Sequence, residues 1–138
     1  MKSITLIALT LFICTPAFCG DFHGSRACEF RGTSYQFDLS KIRLSNTPKW
    51  QAESDFPPLS AKKAKDIALL IVKELRPEIK FWHLDYVKIE PLVATPDWIY
   101  LVKYSDFTPP ISGLPSSLEI PIYMDGTIPE LKVVKIQK

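Results

Sequence analysis

The chain of 138 residues is poor in the residues that build chemistry or a covalent scaffold: three cysteines, two histidines and five glycines. Three cysteines cannot form the paired framework that holds many small secreted domains together, so stability has to come from a hydrophobic core. Five scattered glycines leave no phosphate-cradling loop, and neither G-x-x-x-x-G-K-[ST] nor G-x-G-x-x-G occurs. A G-x-S-x-G elbow is also absent, so no nucleophile announces itself. The two histidines, His23 and His83, lie far apart, and His23-x4-Cys28-Glu29 is the nearest approach to a set of metal ligands. A metal site needs three or four convergent donors, so no metal and no cofactor is expected. Seventeen basic against fifteen acidic residues leave a formal charge of +2 with no long run of either sign. Nothing in that balance points to nucleic acid or an anionic membrane surface.

What the chain does have begins at its N-terminus. Met1-Lys2 is followed by an uncharged apolar run from Ile4 to Cys14, with Pro16 beyond it. A run of that length is too short to cross a bilayer as a helix, which takes ~20 residues, and it has the form of a secretory signal peptide. A cut after Cys19 places Ala17 at −3 and Cys19 at −1. A cut after Ala17 places Thr15 and Ala17 there instead. The first leaves Cys28 as the sole thiol of the mature chain, and the second allows a Cys19–Cys28 bridge in an oxidising compartment. The expected organisation is a signal peptide at 1–19, a flexible segment at 20–32 and one α+β domain at 33–138. The protein is expected to be secreted or periplasmic. No later stretch approaches the length of a membrane span, so none is expected after signal cleavage.

Within the mature chain, Tyr35, Phe37 and Leu39 alternate with polar residues as in a half-buried strand, and Ile42 and Leu44 continue one residue out of phase. Asn46 to Pro58 reads as a loop with Trp50 as a packing anchor. Ser60 is a good N-cap. Ala61, Ala64, Ala68, Ile71 and Leu75 recur at spacings of three and four, and Pro77 ends the element. The spacing predicts a helix over about 60–76, burying Ile67, Leu70, Ile71 and Leu75. Strand patterns follow at 81–90, 98–104 and 118–124. Asp125-Gly126 is then a tight-turn signal leading into a returning strand at 128–136. The expected fold class is α+β: one long amphipathic helix packed on an antiparallel sheet of four to five strands, with Pro121 and Pro129 placing the last hairpin at its edge.

Carboxylates are spread singly at Asp85, Glu90, Asp97, Asp106, Glu119 and Asp125. Pairs of them could meet in space as glycosidase carboxylates do, but sequence alone does not bring them together. Aromatic residues are the more suggestive feature. Trp82, Tyr86, Trp98, Tyr100 and Tyr104 cluster in two neighbouring strands. They form either a core beneath the helix or an exposed platform for a partner, with Trp82, Trp98, Tyr100 and Tyr104 as the candidate surface. The strand 98–104 is apolar on both faces, and one helix covers only one of them. The other has to meet loops, a second copy or a partner.

Pro57-Pro58-Leu59-Ser60, the helix containing Lys63-Ala64 and Ile67-Ala68, Trp82-x-Leu84, Trp98-x-Tyr100 and Met124-Asp125-Gly126-Thr127 together resemble small exported PepSY-like proteins over residues 57–130. The loop at 105–117 and the strand at 35–44 depart from that pattern. The resemblance implies an extracytoplasmic, non-catalytic module, sometimes linked with restraint of peptidases, and it carries over no catalytic residue. The expectation is therefore a non-enzymatic exported binding or accessory module acting on a protein or peptide through an aromatic sheet surface. The alternatives are a structural homo-oligomer of the envelope and a small hydrolase with convergent carboxylates.

Overall fold

A computed structural model of the chain describes residues 24–39, 46–51, 53, 56–92, 95–108 and 116–137. The expected signal peptide, His23, Ile42, Leu44 and most of the loop at 105–117 lie outside the described residues. Among the described residues seven elements follow in order: β1 (Ser25–Phe30), β2 (Thr33–Asp38), α1 (Ala61–Leu75), β3 (Trp82–Pro91), β4 (Trp98–Asp106), β5 (Ser116–Tyr123) and β6 (Glu130–Lys135). They build two three-stranded antiparallel sheets, one ordered β1-β2-β6 and the other β3-β4-β5, with α1 packed on the second. This corrects the expectation of a single four- to five-stranded sheet under the helix. The chain is mostly β, and its last strand belongs to the other sheet.

The reason lies in the turn after β5. Tyr123 donates its N–H to the Thr127 carbonyl (2.8 Å) and accepts from the Gly126 N–H (2.9 Å), with Gly126 at φ +86°. That left-handed conformation suits glycine, while a β-carbon there would meet Ile67 Cδ1 on the helix at 3.4 Å, an ordinary packing contact. The next hydrogen-bonding rung of a continuing hairpin would set Pro121 against Pro129. Neither has an N–H, so that rung can form no hydrogen bond. The strand therefore leaves β5 and pairs with β2 instead, with Leu131 opposite Phe37 and Val133 opposite Tyr35. β1 lies beside β5, where the Cys28 thiol reaches the Glu119 carbonyl (3.9 Å).

β1 itself is a second correction, because Ser25–Phe30 falls in the segment expected to be flexible. Arg26, Cys28 and Phe30 share its inward face. A two-residue turn, with Arg31 at φ +46° and Gly32 at φ +75°, joins it to β2. Arginine is an unusual occupant of a left-handed position. Here its guanidinium pairs with Asp106, whose fully buried carboxylate also accepts from the Thr108 N–H (2.7 Å).

The helix sits within the expected bounds. Ser60 Oγ accepts from the Lys63 N–H (3.2 Å), and Arg76 closes the C-terminus on the Val72 carbonyl (3.0 Å) before Pro77. Its deepest stripe is Ala64, Ala68 and Val72, flanked by half-buried Ile67, Leu69, Ile71 and Leu75. Leu70, expected to be buried, is 70% exposed. The alanines let the helix axis come close to β4 and turn Leu70 to the far side. Among the described residues no helix is long and apolar enough to cross a membrane.

β4 is buried along nearly its whole length. Tyr100, Val102 and Tyr104 face the main core with α1, Phe30, Tyr35 and Phe37, while Ile99 and Leu101 form a second cluster with Leu39 and Tyr123, against which Leu92 packs. The second apolar face of β4 is thus closed by the protein's own residues. Leu70→Glu is expected to change the free energy of urea unfolding by no more than about 0.5 kcal/mol, whereas Val72→Ala lowers it by about 2 kcal/mol. Equal effects would place the helix stripe elsewhere.

Candidate functional site

The face of the β3-β4-β5 sheet turned away from α1 carries most of the chain's clustered polar chemistry. A register shift between Leu84 and Tyr86 sends Leu84, Val87 and Ile89 toward the main core. Tyr86, Lys88 and Glu90 go to the other face, beside Lys103 on β4 and Glu119 on β5. Arg26 of β1 bridges two of these groups, with Nη2 2.6 Å from Glu90 Oε2 and Nη1 3.0 Å from Glu119 Oε1. Tyr86 donates its hydroxyl to Glu119 Oε2, and Lys88 Nζ lies 2.6 Å from Glu90 Oε1. The ammonium groups of Lys88 and Lys103 stand 5.1 and 5.8 Å from the centre of the Tyr86 ring.

Two carboxylates therefore do converge, but on a shared guanidinium. Burial raises the Glu90 pKa, yet the Lys88 hydrogen bond and the positive charges of Arg26 and Lys88 outweigh it and hold the carboxyl below its usual range. Tyr86 is pushed well above the ordinary phenol value by burial first, then by its hydrogen bond to Glu119 and the neighbouring carboxylates. A glycoside-cleaving pair needs one carboxyl raised so that it can donate a proton, and Glu90 is shifted the opposite way. It is a clamp that ties β1 to the outer face of the other sheet.

The open end of the same face is different. Phe81 and Phe107 flank the last rung, Trp82↔Asp106, and are 80% and 47% exposed. The exposed His83 ring meets Phe107 edge to face at 5.4 Å. Asp85 and Ser105 stand next to them, and the buried Ser105 donates its hydroxyl to Asp85 Oδ2 (2.5 Å). Serine, histidine and aspartate meet here without forming a nucleophilic triad. The hydroxyl is bonded to the carboxylate, and the imidazole is turned to a phenylalanine.

The four aromatic residues expected to form the surface lie on the helix side. Tyr100 is 1% exposed and donates its hydroxyl to the Leu59 carbonyl (2.6 Å); Tyr104 is 3% exposed and donates to the Lys65 carbonyl (3.1 Å). Burial raises both phenol pKa values, with the Asp66 charge adding to it at Tyr104. Trp82 packs on Phe30 at 5.5 Å, and Trp98 meets Trp50 edge to face at 5.1 Å; both tryptophans are half-buried. These residues brace the core. The exposed rings are His83 on β3 and Phe81 and Phe107, which stand just beyond the ends of β3 and β4, all of the opposite parity. The strand alternation that turns Trp82 inward already turns Phe81 and His83 outward, and that was the signal available in the sequence.

Cys28 is half-buried and its thiol pKa is raised, chiefly by burial. The Asp125 carboxylate accepts from the Thr127 N–H (2.8 Å) and hydroxyl (2.7 Å) inside the turn. Among the described residues no group of three or more His, Cys, Asp or Glu side chains could hold a metal ion. No family model, no curated protein and no solved structure matches the chain.

Arg26→Met is expected to cost about 1–3 kcal/mol of unfolding free energy near neutral pH, since it leaves the half-buried Glu119 without an ion-pair partner and Glu90 with Lys88 alone. Glu90 has a lowered folded pKa, so its contribution is present above the unfolded value of ~4.3 and is lost as pH falls through the folded one. The gap between wild type and Arg26→Met in urea unfolding therefore narrows as pH falls below the unfolded carboxyl value of ~4.3. A gap independent of pH would show that the clamp is not ionic.

Proposed function

We propose that the protein is a non-enzymatic exported module that binds a protein or peptide through the aromatic patch Phe81–His83–Phe107. The observation that carries this reading is the pair of phenylalanines on either side of the Trp82↔Asp106 rung, both turned to solvent. Large apolar rings grouped at a surface, beside a histidine and next to charged groups, match the composition of binding hot spots, where aromatic anchors carry much of the affinity. The reading keeps an aromatic sheet surface as the means of recognition but moves it to the opposite parity. It no longer uses the doubly apolar β4, which is closed from within. Export rests on the signal-like N-terminus. Peptidase restraint is the activity that the PepSY-like resemblance would add.

The hydrolase alternative would need a carboxyl raised to act as an acid, and Glu90, which shares Arg26 with Glu119, is shifted the other way. The test is capture from the envelope or medium of the exporting cell, comparing wild type with Phe81→Ser/Phe107→Ser at matched thermal stability. A protein retained by wild type and lost from the double variant is the expected result. Trp98→Ala, by contrast, is expected to lower stability through the lost Trp50 contact. Equal capture by wild type and the phenylalanine double variant would remove the patch as the binding site.

A further inference from the structure

Phe107 is 47% exposed and stands past the end of β4, so the core gains little from fixing it. The residues on either side of it are tied down all the same. The Asp106 carboxylate is fully buried, and its two oxygens do different things. Oδ2 accepts from the Arg31 guanidinium, which joins the β1–β2 turn to the end of β4. Oδ1 accepts from both the Thr108 N–H (2.7 Å) and the Thr108 hydroxyl. This second pair of bonds adds nothing between the sheets. It closes a short turn of backbone whose middle residue is Phe107.

Arg31 reaches that carboxylate from a left-handed conformation, φ +46°, which glycine would adopt without strain. Burial raises the Asp106 pKa, but the Thr108 hydroxyl and N–H, then the Arg31 charge and hydrogen bond, outweigh it and hold the carboxyl below its usual range. The acceptor is thus ionised at neutral pH, and both sets of bonds are made together. The Phe107 ring meets the His83 ring at 5.4 Å, and His83 lies opposite Ser105, whose hydroxyl is fixed on Asp85 (2.5 Å). Each ring of this contact is therefore set by a buried neighbour on β4, His83 by Ser105 and Phe107 by Asp106.

We propose that Arg31 is a positioning residue for the aromatic patch: acting through Asp106 and Thr108, it holds the Phe107 ring against His83, so that the patch meets its protein or peptide partner already formed. The proposal rests on the reading of Phe81–His83–Phe107 as the binding surface. A solvent-exposed ring that is free to turn loses that freedom when a partner closes over it, which weakens binding, whereas a ring fixed beforehand has little left to lose. Arg31 itself touches no part of the patch; its effect travels through one carboxylate and the turn that the carboxylate closes.

Proton NMR of the His83 ring at one fixed pH reads the contact directly. A neighbouring phenyl ring displaces the resonances of protons close to it, and Phe107→Leu gives their positions without that ring. Arg31→Gly suits the backbone of the turn and removes the guanidinium. It is expected to keep the circular dichroism of wild type and to lose at least about half of the displacement, while Arg31→Lys, which keeps the charge, retains most of it. Thr108→Val removes one bond at an exposed residue outside both sheets, so it leaves the fold intact and moves the His83 signals in the same direction as Arg31→Gly. In capture from the envelope or medium, Arg31→Gly is expected to retain the partner at least about threefold less well than wild type, and Thr108→Val to fall between the two. His83 signals that keep their wild-type positions in both variants overturn the proposal. So does capture undiminished in both, even if the ring contact has loosened. Wild type that retains no protein at all is a different failure: it removes the patch as a binding surface, and the role of Arg31 with it.

Discussion

Pro121 and Pro129 would face each other in the first hydrogen-bonding rung past the Tyr123–Thr127 turn, and that one vacant rung governs the rest of the architecture. A hairpin whose opening rung has no donor gains little from continuing, so the chain beyond Ile128 is free to pair elsewhere. It finds β2, whose other side is already taken by β1. The outer edge of β5 is left with carbonyls such as that of Glu119, and β1 settles beside it with the Cys28 thiol as a weak donor. Two sheets in place of one, an open β6 edge, and β1 close enough to reach across the second sheet all follow from the same missing pair of N–H groups.

The position of β1 in turn explains how the polar cluster on the outer face clamps the two sheets together. Arg26 enters between Glu90 and Glu119 from the other sheet and pairs with both, and its charge helps to hold the Glu90 carboxyl below its usual range. Tyr86 is drawn in as a donor to Glu119, which leaves that phenol still harder to ionise. The same ionic character makes the contact between the sheets sensitive to acid, as expected for half-buried carboxylates held by cations.

Much of this was legible in the sequence at the level of elements and much less at the level of their partners. The helix could be read from Ser60, the alanine spacing and Pro77, because caps and periodicity are local signals. Its buried stripe was misjudged by placing Leu70 inward, although Leu70 lies about 200° around the helix from Ala68. The two faces of β4 were read correctly from alternation. β1 went unread because one of its three inward residues is Arg26, so its period-2 pattern carries little hydrophobic contrast. The destination of β6 depended on the alignment of two prolines across a turn. Each proline was visible, but their opposition emerges only once the turn geometry fixes the register.

Apolar excess and unpaired backbone make different demands on a fold, and the difference bears on how a partner should be inferred. The second face of β4 needed cover, but a hydrophobic surface accepts any apolar neighbour, and Leu39, Leu92 and Tyr123 were enough. A greasy strand is therefore weak grounds for expecting another molecule. An open strand edge is directional: its donors and acceptors come at fixed spacing, and the side chains above and below them fix which sequence can lie alongside. At β6 the groups that point outward belong to Leu131, Val133 and Lys135. The constraint that can name a partner is the one that the apolar core cannot satisfy by loosely repacking.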